Sequence, residues 1–152
     1  MQTFFKEYLN LLQACHNDIL KALEGLPQAA LDWTPGQDMN SISVLLVHIA
    51  GSTRHMINVA VQEPSDRDRE AEFIAQNLGM DTLKRRLADN MEHIQRVVEK
   101  LSLEDLESTH ILSNGRDYPV AWGLLHALDH ASLHLGQIQL TRQLWEQSKG
   151  NA

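Results

Sequence analysis

An all-α fold, a four-helix bundle with long connecting loops, is what this 152-residue sequence predicts. Four segments repeat apolar residues at steps of three and four, the spacing that lines one face of an amphipathic helix. No segment alternates apolar and polar residues convincingly enough to read as a strand. Cap and breaker residues bracket the four segments at lengths of roughly 20–28 residues, which suits a bundle built around one core.

Phe5, Leu9, Leu12, His16, Ile19, Leu23 and Leu26 form the first stripe, which Gly25 and Pro27 bring to an end. A turn-rich connection containing Trp33-Thr34-Pro35-Gly36 leads to a second helix, N-capped by Asn40 or Ser41. Its stripe is Ile42, Leu45, Ile49, Ser52, Met56 and Val59, with His48 and Gly51 on the flank. From Glu63 to about Arg69 the chain is polar and reads as a solvated loop, and Phe73-Ile74-Ala75 suggests one or two helical turns. A third helix, capped near Asp81, carries Leu83, Leu87, Met91, Ile94, Val98 and Leu101. Residues 102–117 are mixed, with a turn signal at Ser113-Asn114-Gly115-Arg116. Pro119 suits the first turn of a fourth helix, which runs to about Trp145 behind Leu124, Leu128, Ala131, Leu135 and Ile138. Residues 1–152 thus read as a single domain.

Composition narrows the function. Apolar residues at 43% and charged residues at 22% are those of an ordinary globular chain. A net charge of −7 without a basic stripe argues against nucleic acid as a partner. No apolar run reaches the ~18 residues of a membrane span, and the first residues lack a signal-peptide pattern. Cys15 is the single cysteine, which excludes an intrachain disulfide and suits a reducing cytoplasm.

Eight histidines are present, and three of them, His126, His130 and His134, recur every four residues in the fourth helix. Neighbours at this spacing share a face, but the outer two are ~12 Å apart along the axis and rotated by ~80°. One ion can therefore take 126 with 130, or 130 with 134, and spacing does not choose. The second pair is favoured because Ala127, His130, His134 and Gln137 run beside the apolar stripe. His48, beside small Gly51, can add a third nitrogen from across the bundle. Three histidines from two helices leave coordination positions open, as a catalytic metal site requires.

The ordinary alternative for any one histidine is a core residue hydrogen-bonded to a neighbouring helix. His16 reads that way, His55 is a weaker competing ligand, and His93 and His110 read as solvent-facing or loop-borne. Asp129 and Gln137 are candidates to support the ligands, though Asp129 reads better as a solvated charge. Thr53 reads as bonded to its own helix backbone. Other chemistries lack their motifs. Ala131 stands where a zincin protease has its glutamate, no Glu-x-x-His pair suits a di-iron bundle, and no Gly-rich phosphate loop occurs.

Two motifs carry a family resemblance: Ser41 to Ala50 with His48, and Leu128-Asp129-His130-Ala131-Ser132-Leu133-His134-Leu135-Gly136-Gln137-Ile138. With Leu31-Asp32-Trp33-Thr34-Pro35 ahead of the second helix, the chain resembles the DinB/YfiT-like superfamily over nearly its whole length. The resemblance implies an up-down-down-up bundle holding a divalent metal, zinc or nickel foremost, on His48, His130 and His134. It also implies a metalloenzyme that uses a low-molecular-weight thiol as a thiol S-transferase or isomerase. The alternative is a non-catalytic, stress-associated or ligand-binding bundle that retains the metal site. A small-molecule substrate is expected, and so is a homodimer with the fourth helix near the contact, since Trp122, Leu144 and Trp145 add apolar area there.

Overall fold

The computed structural model describes residues 1–111 and 117–150. In chain order the helices are α1 (Thr3–Leu23), a single turn α2 (Gln28–Leu31), α3 (Ile42–Ala60), a short α4 (Arg69–Phe73), α5 (Met80–Val98) and α6 (Val120–Gly150). A 3-10 turn at Glu104–Glu107 precedes two short strands, β1 (Thr109–Ile111) and β2 (Asp117–Pro119), paired antiparallel. The four stripes seen in the sequence became α1, α3, α5 and α6, and the all-α bundle stands.

The side-chain contacts give the directions of the helices. Arg142, late in α6, donates to the carbonyls of Lys21 and Ala22 at the end of α1, so these two run parallel. Asn90 bonds Thr53 and His93 bonds Asn58, so α5 follows α3 in the same direction. Gly123, early in α6, lies against Met56 and Ala60, late in α3, so that pair is antiparallel. The result is up-down-down-up, with α6 packed on α1 and α3, and α5 on α3 and α1. Two helices that follow each other in parallel need a long crossover. The connection between α3 and α5 is therefore long, and α4 lies within it.

Local chemistry explains most of the boundaries. Ser41 caps α3, its Oγ accepting from the Val44 N–H at 3.2 Å, a contact of about 1 kcal/mol. Asp68 does the same for α4, accepting from the Ala71 N–H at 2.9 Å. Asp81 sits inside the first turn of α5 rather than capping it, and Gly79 holds the cap position. A carboxylate there still favours the positive end of the helix dipole. Leu101, counted on the third stripe, lies past the end of α5.

Three expectations need correction. The 102–117 stretch contributes β1 and the first residue of β2, and Pro119 closes β2 immediately before α6 instead of sitting in the helix's first turn. Three-residue strands are too short to show alternation, which is why periodicity missed them. The turn expected at Ser113 to Arg116 falls outside the described residues. α6 also continues past Trp145 to Gly150.

The core is drawn from all four long helices, with Phe5, Leu12 and Ile19 of α1, Ile42 and Ile49 of α3, Leu83 and Ile94 of α5, and Leu124 and Ile138 of α6 fully buried. α6 approaches α3 closely because Gly123 has no side chain. A Cβ there would stand 2.8 Å from the Ala60 Cβ and 3.2 Å from the Met56 carbonyl oxygen.

Candidate functional site

His48 lies midway along α3, inside the run Ile42–Ala50 that is buried throughout. His130 and His134 are one turn apart on α6 and half-buried. Because α3 and α6 are antiparallel neighbours, the three rings meet. His48 Nε2 is 3.1 Å from His130 Nε2, and His134 Nε2 is 3.2 Å from the same atom. Among the described residues, these three could hold a metal ion, with their ligand atoms all within 4.8 Å of one another.

Neighbouring groups decide where the ring protons sit. His48 Nδ1–H donates to Glu72 Oε2 at 2.9 Å, and His134 Nδ1–H donates to Gln137 Oε1 at 2.6 Å. Each ring therefore turns an unprotonated Nε2 toward His130. His130 Nε2 can carry at most one proton and can satisfy at most one of those lone pairs. Its own Nδ1 is buried without a partner among the described residues. A cation satisfies all three at once. Three nitrogens at about 2.0–2.1 Å from one ion stand about 2.9–3.4 Å apart, and the two spacings found lie in that range. The donor set fits a divalent metal.

Glu72 is the residue that sequence reasoning missed. It is 4% exposed, on the short helix α4, and it accepts from Arg67 Nε at 2.7 Å and Arg67 Nη2 at 2.8 Å as well as from His48. Burial pushes its carboxyl upward, but the hydrogen bonds from Arg67 and His48 and their charges outweigh this and hold it below the usual value. Gly51, one turn after His48, makes the space, since a Cβ there would collide with the Glu72 carboxylate. The segment 63–69 had read as a solvated loop, yet its Arg67 is folded against the site. Two signals were available: the cap residue Asp68 ahead of Arg69-Glu70-Ala71-Glu72, and a glycine one turn from a buried histidine.

Electrostatics favour the neutral form of His48 and His130. Burial lowers His130 to about 4, reinforced by His134, His48, His126 and Arg67. Burial lowers His48 also, partly opposed by its bond to Glu72. Phe73 covers His48 with ring centroids 4.9 Å apart, and Arg69 lies over the Phe73 ring at 5.0 Å.

The other histidines separate from this group. His126 stacks on Trp122, centroids 4.6 Å apart, and Trp122 stacks on Tyr118 at 4.1 Å, while His134 is the neighbour grouped with His48 and His130. His55 bonds Ser65, His110 bonds Gln62, and His16 is buried in the core with Nε2 unpartnered among the described residues. His93, expected to face solvent, is buried instead, and its Nε2 donates to Asn58 Oδ1 at 2.6 Å. It lies beside the stripe residue Ile94, on the side of α5 that meets α3. Asp129 is exposed, and Thr53 donates to the Ile49 carbonyl of its own helix at 2.7 Å, both as expected. Trp145 packs edge-on against Trp33 with centroids 5.7 Å apart, so it does not add outer surface to α6.

Residues 11–138 match the sequence model of the DinB superfamily. A conserved protein from Enterococcus faecalis has a similar crystal structure, with a TM-score of 0.79 at 17% identity, covering 95% of this chain and 97% of that one. The mycothiol-dependent maleylpyruvate isomerase matches with a TM-score of 0.70 at 17% identity over 91% of this chain and 63% of the isomerase. At such identities the likeness establishes the fold. No functionally curated protein matches the sequence.

Proposed function

The chain belongs to the DinB superfamily, and from that membership and the three converging imidazoles we propose a metal-dependent enzyme whose divalent ion, zinc or nickel, is held by His48, His130 and His134. The reaction class is thiol-dependent S-transfer or isomerisation on a small molecule. The observation that carries the reading is the pair of protonated Nδ1 atoms on His48 and His134, each held by its own acceptor, with both Nε2 lone pairs aimed at one point.

A divalent ion bound there supplies Lewis acidity, which lowers the pKa of a thiol or water near it. Everything else is the work of the chain. Glu72 holds the proton on His48 Nδ1 and makes the ring a better donor at Nε2. Arg67 keeps Glu72 ionised, and Gln137 holds the proton on His134 Nδ1. Phe73 shields His48 from water and leaves the approach from the α6 side, where His130 and His134 are half-buried. The thiol part of the reading is supported by the mycothiol dependence of the isomerase of the same fold. We assign the protein to a reducing cytoplasm, in keeping with the unpaired Cys15. We also assign it a homodimer contact on the outer face of α6, where Leu125, Leu133 and Leu140 are exposed.

Metal analysis of untagged protein, followed by thiol-transfer assays on the loaded form, tests the reading. One equivalent of metal is expected in the wild type and none in His130→Ala, while His110→Ala retains it. Equal loss in both variants, or a loaded protein inert toward every thiol acceptor tried, overturns the proposal.

A further inference from the structure

A cavity of about 530 Å³ lies between α3, α4 and α5, within the size range of small-molecule sites. Glu72 and Arg67 line it, but none of His48, His130 and His134 does. It is therefore a separate space, sharing one wall with the histidine site. Small side chains make the room, with Ala50 and Gly51 contributed by α3, Ala71 by α4 and Ala75 by the segment that follows it.

Its polar lining is incomplete in a specific way. Asn90, on α5, is 3% exposed, and its Oδ1 has no partner among the described residues. Its amide cannot simply be reversed. Thr53 Oγ1 gives its proton to the Ile49 carbonyl and so must accept from Asn90, which places Nδ2 at 2.7 Å and leaves an oxygen free. A buried acceptor without a donor is unfavourable, so it marks a place where a ligand N–H or O–H is welcome. The half-buried Arg54 and the exposed Arg86 also line the cavity, and neither makes an ion pair among the described residues. Arg67 differs, its Nε and Nη2 both bonded to Glu72. Asp66, Asp89 and Glu72 in the same lining disfavour a multiply charged anion such as phosphate.

We propose that this cavity binds a small zwitterion of the amino-acid or short-peptide class, with its carboxylate on Arg54 and Arg86 and an N–H donated to Asn90 Oδ1. Planar guanidinium forks match a carboxylate, and the free amide oxygen matches the adjacent nitrogen of such a ligand. The site stands whether or not a metal occupies the histidines.

The dipeptide alanyl-alanine serves as the probe, titrated into the intact chain by calorimetry and followed by ¹⁵N chemical shifts. Saturable binding is expected, with shifts at the Asn90 side-chain amide and at Arg54. Arg54→Gln and Arg86→Gln should each weaken it about tenfold while leaving the thermal melt in place. Amidating the dipeptide carboxylate should weaken it similarly, and His130→Ala should bind as the wild type does. No saturable binding at millimolar dipeptide, affinity unchanged in both arginine variants, or loss in His130→Ala would overturn the site. Inorganic phosphate binding in place of the dipeptide would overturn the zwitterion assignment.

Discussion

A neutral imidazole has one lone pair to offer, and the partner of its other nitrogen decides which atom carries it. That rule makes Glu72 as informative as the histidines. Glu72→Gln keeps the shape and still lets an oxygen accept from His48 Nδ1, but it removes the charge and breaks the ion pair with Arg67. On the metal-site reading, affinity should fall about 10–100-fold with the helical content intact. Competition against a chelator of known affinity measures it, and an unchanged constant would reduce Glu72 to a packing role. The ligand candidates were legible from a spacing of four residues in one helix and a lone histidine in another, because helical periodicity projects onto geometry. Glu72 was not legible, since a short helix in a long crossover has no periodicity to read. His93 was misread for a related reason: it sits beside the apolar stripe, and burial at a stripe's edge depends on the neighbouring helix.

At the scale of elements, the close approach of α6 to α3 brings His130 to His48. Gly123 sets that distance two turns before His130. Gly123→Ala would raise the helix propensity of α6, yet its Cβ would meet the Ala60 Cβ at 2.8 Å. The steric effect should win, because both neighbours are parts of a packed helix that has no free rotamer to move. A destabilisation of about 1–3 kcal/mol is expected, seen as a lower urea midpoint with an unchanged slope. A stabilised variant would mean that the two helices can part at no cost. The long crossover between α3 and α5 follows from their parallel directions, and the short helix within it delivers Glu72, Phe73 and Arg69 to one face of His48.

For the whole molecule, two conditions should shift stability in known directions. His16 is buried, and burial lowers it to about 4, below its unfolded value of ~6.5. Between these values the unfolded chain binds the proton and the folded chain does not. Stability is therefore complete above about pH 6.5, falls as pH drops toward about 4, and loses nothing more from this group below that. The full effect is at most about 3 kcal/mol. His16→Leu should flatten the pH dependence of the urea midpoint across this window relative to wild type, and parallel curves would show that His16 does not carry it. Metal removal is the second condition. The four apolar stripes close a core without the ion, so chelation should lower the melting temperature while far-UV helicity persists. Unfolding on chelation would make the ion structural.

By itself, the sequence determined the four long helices, the start of the second at Asn40 or Ser41 and the end of the first near Gly25, the all-α class and the three histidines worth attention. These are properties of spacing along one chain, and a helix of fixed pitch converts spacing into faces without reference to anything else. Spacing left open which of His126 and His134 joins His130, and the line beside the apolar stripe only favoured His134. The tertiary structure groups His134 with His130, because the choice depends on where His48 arrives from the antiparallel α3. It also decided that Arg67 leaves an apparently solvated loop to pair with Glu72 of α4, which fills the space beside Gly51. A buried ion pair is stable only when both partners and the cavity that receives them are assembled together, and no periodicity within a single segment reports that.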